Sequence, residues 1–284
     1  MEVKTIKDSF HFSHLEEAIH DFTHNGFVVV DLINKGFIFN EKSHLEKELK
    51  TLTSIKDITL ETYHLYNFDE NQHIETRYKL MKFLHKTGFH MKLAMENLPW
   101  FKEIIGRDLS IQQFPYLRVA KPNSIKDNIG FHRDTWYGTL ACEISVLVPF
   151  TRMSKDNTLS LEPGSYKFPD QKYKYEKHVS KEVQKGSVMH QAGIPYMSNI
   201  LKNRDMCDLH PIPIDVGQIL IFNLAVLHGQ EINSSDHTRF SMDFRMVNTL
   251  ENLMKKVNGE QKYYIELVKS PIKQQETAYV ENNQ

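Results

Sequence analysis

Residues 238–247, TRFSMDFRMV, alternate between polar and apolar side chains. Strand side chains point to opposite faces with a period of two. Arg239, Ser241, Asp243 and Arg245 therefore share one face, and Phe240, Met242, Phe244 and Met246 share the other. By pattern alone this is an amphipathic strand with its polar side in water. The sequence before it changes that reading. QILIFNLAVL (218–227) is a buried-strand run, far shorter than the roughly 20 residues of a membrane span, and it leads directly into His228-Gly229. Further back, His132 and Asp134 stand two apart in GFHRDTWYG (130–138). With these groups at hand, the polar row becomes the inner wall of a barrel. The apolar row then packs outward against a helical layer.

Other short β-like runs begin near Ile111: QQFPYLRVA, FHRDTW, CEISVLVPF, TLSLEPGS and SVMHQA. Many short strands separated by turn residues indicate a barrel or sandwich. The first third reads differently. Ser13 and Glu16 make a capping-box pattern before Leu15, Ala18, Ile19 and Phe22, Gly26 ends that helix, and 27–30 reads as a strand. Leu45, Leu49, Leu52 and Ile55 mark a second helix, and 74–105 a third helical region with a break at Gly88. After Asn248 the expectation is a short helix around 250–257, the segment KYYIELV, and a polar tail. There is no repeat, low-complexity tract or Pro/Gly/Ser linker. One domain over 1–284 is expected: a largely helical support layer (1–108), a β-core (109–248) carrying a lid or insertion at 165–214, and a C-terminal helix and tail (249–284).

Composition sets outer limits. The 284 residues carry 40% hydrophobic and 25% charged side chains, ordinary for a globular protein. A net charge of −1 gives no electrostatic case for nucleic acid. The N-terminus has charges where a signal peptide needs an apolar run, and no stretch is long enough to span a membrane. Cys142 and Cys207 are too few for a disulfide framework and lack zinc-type spacing. The expectation is a soluble cytoplasmic protein with reduced thiols, no membrane and no nucleic-acid partner; the oligomeric state stays open.

His-x-Asp in a strand puts both side chains on one face, with Arg133 pointing away. Two imidazoles and one carboxylate suit Fe(II) and leave coordination positions open for chemistry. The pair alone is weak: with 15 His and 15 Asp, about one such match arises by chance. His14-Leu15-Glu16 and His44-Leu45-Glu46 are lookalikes assigned to solvated helix faces. A histidine before glycine at a strand end is often only a turn residue. Arg239, eleven residues beyond His228, adds a planar fork that binds a carboxylate bidentately and keeps its charge, as a 2-oxo acid requires.

GFHRD, LSLEPGS, DVGQILIF, LHGQEIN and RFSMDFR, with NGFVVVDL near the start, together resemble the iron(II)/2-oxoglutarate-dependent oxygenases, most closely the phytanoyl-CoA dioxygenase-like branch. The pieces follow the family's order over roughly residues 20–248. The resemblance implies a mainly β fold with α, a double-stranded β-helix (a jelly roll, cupin-like) behind a helical N-terminal layer. It implies iron ligands His132, Asp134 and His228, Arg239 on the distal carboxylate of 2-oxoglutarate with Ser241 beside it, and Fe(II), 2-oxoglutarate and O2 as cofactor and cosubstrates. No catalytic residue is expected beyond the metal site. Some members carry a hydroxyl two residues past the distal histidine; here that position is Gln230. Ser145, Tyr116 and Gln113 are candidates for the remaining 2-oxoglutarate contacts, with ordinary core or surface roles as their alternative. Related halogenases have a small residue where Asp134 stands, so the carboxylate argues for oxygenation, most simply hydroxylation with release of succinate and CO2.

For substrate, Trp136 and Tyr137 beside the ligand pair, and Arg118 and Arg245 on the strands, are the candidate pocket residues; Glu143 would join them in the assumed register. Lys167, Lys172, Lys174, Lys177, Lys181 and Lys185 are diluted by Asp170, Glu176 and Glu182 and read as a solvated surface. His190 and His210 read as structural. A Tyr- and Lys-rich insertion favours a small polar substrate, with a lean to a sugar or sugar conjugate. The alternatives are a hydroxylase of an amino acid or natural product, and a non-redox cupin-like metalloenzyme such as an isomerase or hydrolase.

Overall fold

A computed structural model describes residues 5–6, 12–184, 187–249, 257–258 and 261–282. Helix and strand share the chain, so the fold is mixed α/β. The helices are α1 (Phe12–Asn25), α2 (Lys35–Thr53), α3 (Glu70–Thr87), α4 (Phe89–Glu96), α5 (Leu98–Ile105), α6 (Val188–Gln191) and α7 (Pro271–Asn282). An eight-stranded sheet runs β1 (Thr5–Ile6), β2 (Phe27–Asp31), β10 (Gln218–Asn223), β5 (Ile144–Pro149), β12 (Arg239–Asn248), β3 (Leu109–Gln112), β15 (Tyr264–Val268), and β4 (Tyr116–Ala120) also pairs with β12. Only the β1–β2 pair in it is parallel. A second sheet holds β11 (His228–Gln230), β6 (Leu159–Leu161) and β9 (His210–Pro211), extended by a bridge from His228 to His132. Two hairpin-like pairs, β7 (Tyr175–Val179) with β8 (Met197–Leu201) and β13 (Val257–Asn258) with β14 (Gln261–Lys262), complete the strands.

Period-two alternation sorts the large sheet's side chains into two cores. Val28, Val30, Val146, Val148, Ile219 and Ile221 join Phe240, Met242, Phe244 and Met246 against helical Leu45, Leu49, Leu80, Leu84, Phe89 and Leu93. The intervening Phe27, Val29, Leu147, Leu220 and Phe222 face the small sheet's Leu161 and the adjoining Ile212 and Ile214. Burial of each large apolar side chain contributes about 1.5–3 kcal/mol. The apolar row of β12 thus faces the helical layer, as its pattern requires. Along the chain, segments alternate between sheets: β4 large, His132 small, β5 large, β6 and β9 small, β10 large, β11 small, β12 large.

The helical expectations hold with adjusted ends. α1 stops at Gly26 (φ +82°), whose N–H returns to Phe22 O at 2.7 Å; the Ser13 side chain lies outside the described residues. Ser54 in the left-handed region ends α2 just before Ile55. Gly88 (φ +62°) separates α3 from α4, and Asn97 separates α4 from α5, where Pro99 can take a first-turn position because no N–H is needed there.

Three expectations are corrected. SVMHQA is not a strand: the Ser187 hydroxyl accepts from His190 N and caps α6. FHRDTW is not a strand either. His132 makes one bridge, and Asp134–Tyr137 closes a 3-10 turn that Gly138 (φ +83°) terminates. The polar tail contains α7. The expected 250–257 helix and Lys185 lie outside the described residues, apart from Val257 in β13. Among the described residues, no helix is long and apolar enough to cross a membrane.

Candidate metal and anion site

His132, Asp134 and His228 converge although no strand carries the first pair. The main chain does it. His132 and His228 exchange backbone hydrogen bonds of 2.8 and 2.9 Å, and Asp134 N donates to Leu224 O at 3.1 Å. Candidate ligand atoms of the three side chains all lie within 4.8 Å of one another; Asp134 and His228 are buried and His132 is largely so. Gly229 permits this approach: a Cβ there would lie 2.6 Å from Phe131 Cα and 2.8 Å from Gly130 O. The glycine after the histidine is a packing requirement of the site.

The tautomers follow from hydrogen bonding. His132 Nδ1 donates to Gly130 O (2.9 Å) and His228 Nδ1 donates to Val226 O (2.9 Å), since a carbonyl can only accept. When neutral, each ring presents a bare Nε2, the state a metal needs. Burial, with His132 nearby, pushes His228 down to about 4, so it is neutral at pH 7. Burial would raise the Asp134 carboxyl, but Arg245, His132 and His228 outweigh it and hold the group well below the usual carboxylate range. Arg245 Nη2 donates to Asp134 Oδ2 at 2.8 Å, leaving Oδ1 beside His132 Nε2 at 3.3 Å. Two imidazole nitrogens and a carboxylate oxygen are a donor set that fits a divalent transition metal such as Fe(II).

The three ligands open onto an inner cavity of about 110 Å³. The inward row of β12 lines it: Arg239, Ser241, Asp243 and Arg245, with Tyr116 and Arg118 from β4 and Ser145 from β5. Arg239 donates through Nη1 to Asn157 O (3.1 Å) and through Nη2 to Gln230 Oε1, and Gln230 Nε2 in turn donates to Asp127 O (2.9 Å). Gln230 thus orients the guanidinium from the position where a hydroxyl was the family expectation. Arg239 Nε and Ser241 Oγ are buried without any partner, an arrangement that costs about 1–3 kcal/mol for each group. Among the described residues Arg239 has no carboxylate partner, and burial with Arg118 nearby pushes it down to about 10. Orphaned donors beside an unmatched cation fit a carboxylate guest.

A wider chamber of about 280 Å³ adjoins this cavity and shares Tyr116, Arg118, His132, Asp134 and Arg245 with it. Tyr137, His190, Tyr196, Tyr263 and the 193–197 segment form its remaining wall. The structure therefore brings together the metal triad, Arg239, Ser241, Ser145, Tyr116, Tyr137, Arg118 and Arg245. Gln113 and Trp136 line neither space. Gln113 N donates to Tyr263 O, and Trp136 stacks on Tyr175 at 4.3 Å while its Nε1 donates to Asp170. Glu143 is fully buried and accepts from Tyr264 OH. Arg118 is clamped by Asp243 (2.6 and 3.2 Å) and donates to Gly193 O at 2.8 Å. Arg133 does point away from the cavity: it binds Ser165 O, Phe168 O and Asp170 and lies over the Tyr173 ring. His210 is half-buried beside Asp208 (2.9 Å), and Lys172 pairs with Glu162 (2.7 Å).

Sequence reasoning missed Arg77 and Asp127, which also line the inner cavity. Arg77 had a signal: it falls on the apolar stripe Ile74, Leu80, Met81, Leu84 of α3, where a charge has no business unless it meets a partner. Asp127, held by His73 at 3.1 Å, had none.

No protein-family model matches the chain, and no curated protein sequence matches it. Among solved structures it is similar to the α-ketoglutarate-dependent epimerase SnoN of nogalamycin biosynthesis (16% identity, 83% of each chain, TM-score 0.47). It is also similar to the carbocyclase SnoK of nogalamycin biosynthesis (13% identity, 82% of this chain and 83% of that one, TM-score 0.48). A third similar structure is the non-heme monooxygenase ThoJ as a nickel complex (15% identity, 81% and 77%, TM-score 0.44). At these identities and scores the likenesses assign this chain neither a family nor an activity.

Proposed function

We propose that this chain is an Fe(II)/2-oxoglutarate-dependent dioxygenase of the phytanoyl-CoA dioxygenase-like branch. It acts as a single domain over residues 1–284, most simply as a hydroxylase of a small polar metabolite of the sugar or sugar-conjugate type. The observation that carries the reading is the pairing of two features in one cavity. One is a two-histidine, one-aspartate group whose Nδ1 atoms are tied to backbone carbonyls, and the other is Arg239 with an Nε that has no partner among the described residues, beside a Ser241 Oγ equally without one. The alternation of segments between a large and a small antiparallel sheet supports a double-stranded β-helix core. Tyrosines with polar tips around the outer chamber support a hydroxyl-rich substrate.

In this reading His132, Asp134 and His228 hold the iron, and Arg239 with Ser241 holds the distal carboxylate of 2-oxoglutarate. When bound, iron, 2-oxoglutarate and O2 supply the oxidising power, with succinate and CO2 released. The chain's own residues do the rest. Arg245 keeps Asp134 ionised and its second oxygen fixed, Gln230 aims the Arg239 fork, and Tyr116, Tyr137 and Tyr263 shape the chamber in which a C–H bond is placed. The 193–197 segment forms part of that chamber's wall.

The test is anaerobic addition of Fe(II) and 2-oxoglutarate, which should give a weak visible charge-transfer band that His132→Ala abolishes. Wild-type protein that binds Fe(II) but not 2-oxoglutarate would sink the proposal and favour a non-redox cupin-like metalloenzyme.

A further inference from the structure

Arg77 comes from the helical layer, yet its side chain reaches the inner cavity. It is 6% exposed, and its Nε donates to Leu117 O at 3.1 Å. Among the described residues its two terminal nitrogens make no hydrogen bond and it forms no ion pair with a carboxylate. Arg118 pairs directly with Asp243 and Arg245 with Asp134, while Asp127 is hydrogen-bonded to His73 and acts on Arg77 only at longer range, as does Asp243. Arg239 is assigned to the oxo acid. Among the described residues Arg77 is thus the cavity guanidinium whose terminal nitrogens have no direct partner. A buried guanidinium without a carboxylate in contact is costly, so a cavity that retains one is suited to an anion.

The surroundings keep the fork clear. Gly193 (φ +85°) lies against it, and a Cβ there would stand 2.9 Å from Arg77 Nη2 and 3.3 Å from Arg118 Nη1. Arg118 holds that glycine's carbonyl, so the segment is fixed with its hydrogen-only side toward the arginines. Arg118 and Gly193 border both the inner cavity and the wider chamber. Arg77 therefore sits where a group extending from the chamber toward the metal would meet it.

We propose that Arg77 recognises an oxyanion carried by the substrate (a carboxylate, phosphate or sulfate group), at a position separate from the one Arg239 provides for the cosubstrate. The separation rests on the dioxygenase reading; the anion site itself does not. An Arg fork gives such a group charge-assisted hydrogen bonds, which are stronger than neutral ones.

The experiment is calorimetric titration of anaerobic protein, saturated with Fe(II) and 2-oxoglutarate, with sulfate and with acetate. At least one probe should bind saturably to wild type without competing with 2-oxoglutarate. Arg77→Gln should weaken it about tenfold or more and leave 2-oxoglutarate affinity within a few-fold; Arg239→Gln should do the reverse. Preference for sulfate points to a phosphate- or sulfate-bearing substrate, and preference for acetate to a carboxylate. Competition between probe and 2-oxoglutarate, absence of binding by both probes, or equal loss of both ligands in Arg77→Gln overturns the proposal. Arg77→Lys keeps the charge without the fork and should fall between, which covers a misfolded glutamine variant. If wild type fails to bind 2-oxoglutarate, the dioxygenase reading fails, while the probe titration without cosubstrate still decides Arg77.

Discussion

Replacing Arg239 by Met should separate ligand binding from folding, with the two effects far apart in size. In the unliganded protein the guanidinium is buried, without a carboxylate partner, and satisfied only through Asn157 O and Gln230 Oε1. Removing it orphans those two acceptors at about 1–3 kcal/mol each and relieves a charge-burial cost of several kcal/mol. These offset, so unliganded stability should change by less than about 2 kcal/mol. Binding has no such compensation. A carboxylate would engage the free Nε and a terminal nitrogen, two charge-assisted bonds worth about 1.5–3 kcal/mol each, so 2-oxoglutarate affinity should fall a hundredfold or more, roughly 3 kcal/mol. Ligand at a hundred times Kd stabilises wild type by about 2.7 kcal/mol, which at about 2–4 °C per kcal/mol is a Tm rise of about 5–10 °C. The rise should vanish in Arg239→Met while Tm without ligand barely moves. A variant that loses 4 kcal/mol or more unliganded yet keeps 2-oxoglutarate affinity would refute the argument and make Arg239 a structural residue.

Gly229→Ala should cost more than Gly138→Ala by chemical denaturation. The first drives a Cβ into the 130–131 backbone, whereas the second meets nothing within 4 Å and carries only left-handed strain of about 1–2 kcal/mol; equal losses would remove the packing role given to Gly229. His90, buried against Phe244 with Nε2 on Gln112 O, is pushed down to about 4 by burial. The unfolded chain takes that proton near pH 6.5 and the folded chain resists it until about 4, so stability is lost as pH falls across that window, by about 3 kcal/mol. His90→Leu should flatten that part of the stability–pH curve, and an unchanged slope would contradict the assignment. Asp134→Ala should abolish metal binding and also destabilise the metal-free protein by about 3–5 kcal/mol, because Arg245 loses its buried partner; metal-free stability equal to wild type would show that Arg245 is solvated.

Periodicity made the strands legible: β12, β10 and β5 each sort into a helix-facing row and a sheet-facing row by parity. Glycine punctuation was equally readable at Gly26 and Gly88, where positive φ ends a helix. The same alternation misled at His132 and Asp134. Spacing two apart suggested a strand face, but the convergence comes from a single backbone bridge and a 3-10 turn, which leave no periodic trace. Chemistry chose the right residues for a partly wrong geometric reason. Trp136 shows the limit of adjacency: it neighbours Asp134 in sequence, yet the turn swings it onto Tyr175. Arg77 shows the reverse, since a contact between residues forty apart, Arg77 with Leu117 O, is set by tertiary packing.

Arg133 sits between two of the metal-ligand candidates and donates its hydrogen bonds to groups 32 to 37 residues further along, at Ser165, Phe168 and Asp170, while stacking on Tyr173. The ligand turn is therefore tied to a stretch of chain that is synthesised after it. The bridge to His228 and the bond to Leu224 O, which place His132 and Asp134, also come from later in the chain. The contacts that place the ligand turn therefore span long stretches of sequence, so local opening should cost metal affinity before it costs the core. A protease cut that frees the stretch around Ser165–Lys167 should weaken metal binding while the helix-backed sheet stays intact.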